Sequence, residues 1–94
     1  MNLPDFKVLL TTELPPAGSS VYLQALWYDA KGNWEKAHEL IQDLKDKDAS
    51  WIHAYLHRKE DDIWNADYWY KKAGKKRPSL SLAEEWDEIS AALL

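Results

Sequence analysis

The 94-residue chain contains no cysteine, which excludes disulfides, thiolate nucleophiles and cysteine-ligated zinc and leaves the fold without a covalent staple. None of its three glycines falls in a glycine-rich phosphate loop, and neither a catalytic-nucleophile signature nor a paired-carboxylate motif is present. No apolar run approaches the roughly 20 residues that a membrane span requires. The opening MNLPDFKVLL has neither the basic start nor the long apolar stretch of a secretory signal, and the expectation is a cytoplasmic protein with no membrane attachment.

What the chain has is aromatic surface. A single domain of this size buries a smaller share of its surface than a large one, so few positions must do much of the packing. Six tryptophans and five tyrosines supply large buried areas, each with a polar atom that wants a partner. The net charge is −4 but unevenly placed: KKAGKKR (71–77) carries five cations and EEWDE (84–88) four anions. Overall acidity argues against nucleic acid as the main partner.

An offset of 29 residues, from Ala25 to Ala54, also brings Ala37 onto Ala66, Asn33 onto Asp62, Leu26 onto Tyr55, Ile41 onto Tyr70 and Tyr22 onto Trp51. Each segment reads as helix, short turn, helix. Gly32 and Asn33 end one helix and cap the next, as Asp61 and Asp62 do in the second unit. The expected helices run over 20–31, 34–46, 49–60 and 63–74. Trp34, Ala37, Ile41 and Leu44 form one stripe, and Ile63, Ala66, Tyr70 and Ala73 form its counterpart. After Pro78, Ser81 and Glu84 stand in capping-box spacing ahead of Leu82, Trp86, Ile89 and Leu93, predicting a fifth helix that caps the open end of the stack. Residues 1–18, with Pro4, Pro15 and Pro16 and the apolar Phe6, Val8, Leu9 and Leu10, form an N-terminal arm ahead of a helical domain over 19–94.

Ala54, Ala66, Tyr70, Ala73 and Pro78, echoed by Ala25, Ala37, Ile41, Leu44 and Ala49, have the spacing of the tetratricopeptide repeat, which the chain resembles over 19–78. Two departures stand out: the family's usual period is 34, and His53 and His57 occupy places normally given to a leucine and an aromatic. The resemblance implies an all-α fold of two antiparallel helical hairpins in a superhelical stack. It also implies a concave side lined by the first helix of each hairpin, where Tyr22, Leu26, Trp51, Tyr55 and Arg58 would receive an extended peptide, with cover of these rings by the N-terminal arm as the alternative.

Two clusters invite chemistry. His53, His57 and Glu60 share one stripe of a helix, a spacing compatible with metal ligation. The stripe is not the H-E-x-x-H arrangement, however, because Ala54 follows His53. Their repeat counterparts are Gln24 and Tyr28, residues suited to a polar seam inside a hairpin. The expectation is structural histidines, with Tyr70, Asn65 or Glu60 as hydrogen-bond partners, and neither metal nor cofactor. Trp64 and Tyr68 replace Glu35 and Glu39 of the first unit, so two rings stand where the fold itself tolerates charge. Either the arm covers them or they form a contact surface. Cations at the end of their helix meet the helix dipole favourably, with phosphate binding as the alternative.

The function these residues predict is non-catalytic: an aromatic-rich surface presented to a protein or peptide, including a second copy of the chain. The alternative is a small-ligand binder or enzyme using His53, His57, Glu60 and Arg58, with Asn65 nearby. A third is a weak nucleic-acid binder through residues 71–77. The enzyme needs a concave opening at the histidines; the interaction module needs exposed rings without one.

Overall fold

A computed structural model describes residues 1–94. It is all-α, with α1 Leu3–Val8, a 3₁₀ turn Leu9–Thr11, α2 Val21–Ala30, α3 Trp34–Ile41, α4 Lys47–Lys59, α5 Ile63–Lys72 and α6 Leu82–Leu93. No helix is long and apolar enough to cross a membrane. Each start is set by a short polar side chain that accepts a backbone N–H left free in the first turn: Asn2, Ser20, Asn33, Asp46, Asp62 and Ser81. Ser81 and Glu84 complete the capping box that their spacing predicts.

α2 lies along α3 and α4 along α5, each pair joined by a three-residue turn. The turns are built alike. Asn33 N–H donates to the Tyr28 carbonyl and Asp62 N–H to that of His57, each at 2.9 Å. The residue before each cap is left-handed, Gly32 at φ 85° and Asp61 at φ 63°. Ala25, Ala37, Ala54 and Ala66 are fully buried, so the helices of each pair approach closely and the large side chains pack beside the contact. The expected second helix, 34–46, stops at Ile41 because Asp46 caps α4, which begins two residues earlier than its predicted start at 49. Tyr22 holds that cap in place, its hydroxyl donating to Asp46 Oδ2 at 2.8 Å.

The predicted arm is part of the core. Phe6 is fully buried and stacks on Trp86, ring centroids 5.8 Å apart. Trp27 Nε1 donates to the Leu9 carbonyl at 2.9 Å, and Lys31 Nζ to that of Leu10 at 2.6 Å. Only 22 of the 94 residues are buried, so single rings carry weight: a buried ring of about 200 Å² contributes about 5 kcal/mol before entropy is counted.

The last helix packs on the second hairpin and also reaches the first: α6 lies against α4 and α2, the first helices of both hairpins, and α1 packs on it. Trp86 Nε1 donates to the Leu26 carbonyl at 2.9 Å, and Trp86 and Ile89 are buried.

Candidate functional site

The chain itself covers most of the residues assigned to a peptide groove. Leu26 is fully buried, Tyr55 and Trp51 are buried, and Arg58 turns to α6, so the residues assigned to a peptide meet the chain itself. Arg58 donates to Glu85 Oε1 at 2.8 Å and to the Leu80 carbonyl. The Tyr70 hydroxyl lies 2.7 Å from both oxygens of the same carboxylate, a buried ion pair with its remaining lone pairs engaged. Burial, then the Glu85 hydrogen bond, pushes the Tyr70 phenol well above its ordinary range. Tyr55 donates to Asp29 Oδ2 at 3.0 Å, and Lys59 pairs with Asp29 Oδ1 at 2.9 Å; burial and then Asp29 push this phenol up too. Tyr22, half-buried, is spent on Asp46. The sequence offers the N-terminal arm as the alternative cover for these rings; α6 takes much of that place.

Trp64 and Tyr68 are different. They are 79% and 48% exposed and lie nearly parallel, with centroids 6.4 Å apart and an 11° angle between planes. Lys72 Nζ sits 5.1 Å from the Tyr68 ring centre. The N-terminal segment, which could have covered these rings, lies instead against α2 and α6. Of the basic run, Lys75 stands 4.0 Å over the Trp51 ring and Arg77 pairs with Asp67 at 2.9 Å, so both are engaged within the chain.

The histidines assemble a cluster larger than the one expected. His53 and His57 project from α4 toward His38 of α3, a residue the sequence reading passed over. His53 Nε2 and His38 Nε2 lie 3.1 Å apart, and the three ring centroids are separated by 4.8, 4.8 and 5.4 Å. Trp69 stacks on His53 at 3.9 Å and Trp34 on His38 at 4.9 Å. His57 Nδ1 donates to Glu60 Oε1 at 2.7 Å. Burial first, then His57, His38 and Lys45, lowers the His53 imidazole to about 3. Burial and His57 also lower His38.

The other expected partners are elsewhere. Tyr70 serves Glu85, and the Asn65 amide donates to Asp62 at 2.7 Å. Arg58 is on the α6 side of α4, so His53, His57, Glu60 and Arg58 do not converge on one pocket. None of the three cavities reaches a histidine. The largest apolar one, about 370 Å³, lies between Leu10, Tyr55, Leu82 and Trp86. The signal that could have found His38 was its place beside Ala37, the close-contact residue, which puts it next to the neighbouring helix.

No family model, curated protein or solved structure matches the chain.

Proposed function

We propose that the protein is a non-catalytic interaction module that binds a second copy of itself through the outer face of α5. The observation that carries this reading is the exposed, parallel pair Trp64 and Tyr68, rings of the kind that anchor protein interfaces. The charges beside them select the occupant. Glu60 and Asp61 precede the rings and Lys71 and Lys72 follow them, all exposed. In a two-fold antiparallel pairing centred on position 66, Trp64 faces Tyr68 of the second copy, while Asp61 and Glu60 face its Lys71 and Lys72. Such a surface is self-complementary, as an isologous contact requires. The kinship to tetratricopeptide repeats belongs to the same proposal: it rests on the 29-residue offset and the matching turns, and stacked hairpins of that type are binding scaffolds.

Sedimentation of the wild type and of the Trp64→Glu/Tyr68→Glu variant tests the reading. The wild type should show concentration-dependent dimerisation, and the variant should remain monomeric with its stability changed by no more than about 0.5 kcal/mol. Lys71→Glu/Lys72→Glu should weaken association, and adding Asp61→Lys and Glu60→Lys should restore it. A wild type that stays monomeric at high concentration would exclude self-association.

A further inference from the structure

The chain has three histidines, and all three meet at one point between α3 and α4. We propose that His38, His53 and His57 form a binding site for a divalent transition-metal ion, such as zinc, that clamps the first hairpin to the second. An ion holding nitrogens at about 2.0–2.1 Å in a tetrahedron keeps neighbouring nitrogens about 3.3 Å apart; His38 Nε2 and His53 Nε2 are already 3.1 Å apart. One ring nitrogen from each histidine lies within 4.8 Å of the others, so a small turn of the His57 ring completes a three-nitrogen face. His57 and His38 are only partly buried, which gives the ion a way in and leaves a fourth position to a solvent molecule.

The surroundings support ligation over a purely structural seam. His57 gives its Nδ1 to Glu60, which fixes the tautomer, leaves Nε2 free to ligate, and matches the carboxylate–histidine–metal pattern. Trp34 and Trp69 hold the His38 and His53 rings in orientation by stacking. Imidazole donors alone suit zinc, copper, nickel and cobalt and are foreign to calcium and magnesium, which take oxygen. A competing set, His57 with Glu60 and Asp62, also lies within reach. There, however, Asp62 is committed to capping α5 and to the Asn65 amide, and Glu60 already serves His57.

The test uses the full chain titrated with zinc by calorimetry, and with cobalt(II) followed by visible absorption. The expected result is one ion per chain, a cobalt spectrum of low-coordinate, nitrogen-ligated metal, and joint shifts of all three imidazole resonances on zinc addition. His38→Gln and His57→Gln, each checked for native helix content, should lose more affinity than the about 10- to 100-fold expected for Glu60→Gln, which removes only the supporting carboxylate. Three results would overturn the site: no saturable zinc binding by the wild type, zinc shifts confined to His57, or affinity lost in Asp62→Asn but kept in His38→Gln. The imidazole shifts are read on the wild type, so they decide the matter even if a variant fails to fold.

Discussion

Set against each other at their 29-residue offset, α2–α3 and α4–α5 agree wherever the chain must turn or two helices must touch. Ala25 and Ala54, Ala37 and Ala66, and Ile41 and Tyr70 are all buried, and Asn33 and Asp62 cap with the same bond. The hairpins part company where they face something else. Asp29 and Arg58 hold the same register with opposite charge: Asp29 receives Tyr55 and Lys59 from the second hairpin, while Arg58 reaches Glu85 and Leu80 at and before α6. Glu35 and Glu39 give way to Trp64 and Tyr68. Shared positions answer to the requirements of a hairpin, and differing ones answer to a neighbour.

The largest effect should come from the charged pair. Arg58→Ala leaves the Glu85 carboxylate, 1% exposed, without its cation in the interior, a loss of about 3–5 kcal/mol. Asp29→Ala should cost less, about 1–3 kcal/mol, because it strands only the Tyr55 hydroxyl while Lys59, partly exposed, can turn to water. Urea denaturation of both variants measures the difference; an Arg58→Ala loss no larger than that of Asp29→Ala would mean that the Tyr70 hydroxyl suffices as partner for the buried Glu85 carboxylate. The alanine pair comes next. Leu at position 66 overpacks a close helix contact by about 1–3 kcal/mol, and Leu at position 37 should match it, since both alanines are fully buried. A loss at one position only would show that the two contacts are not equivalent.

Much of this was legible because it depends on local chemistry. Caps, turn residues and helical periodicity are written within a few positions of where they act, so Asn33, Asp62 and Ser81 announced their helices. Two things were not. α6 was readable as a one-faced helix, but its stripe of Leu82, Trp86 and Ile89 fits the end of the stack as well as the groove. Only the pairing of Arg58 with Glu85 and of Trp86 with the Leu26 carbonyl selects the groove, and those partners are 27 and 60 residues apart. His53 and His57 were visible as a pair on one helix, whereas His38 joins them across the junction of the hairpins, a relation that periodicity inside one element does not encode.

The smallest effect lies in the turns, and it probes the repeat most directly. Gly32 and Asp61 both adopt positive φ, a conformation that costs most residues about 1–2 kcal/mol and that Asp tolerates better through local hydrogen bonding. A Cβ added at Gly32 would meet nothing within 4 Å, so the only obstacle to substitution there is the backbone angle. Transplanting the second turn's residue, Gly32→Asp, should therefore cost less than about 1 kcal/mol, whereas the β-branched Gly32→Val should exceed about 1 kcal/mol. Thermal melts of the two variants give the order. If Asp proved as damaging as Val, the angle would not be the common constraint on the two turns, and their likeness would be one of shape alone.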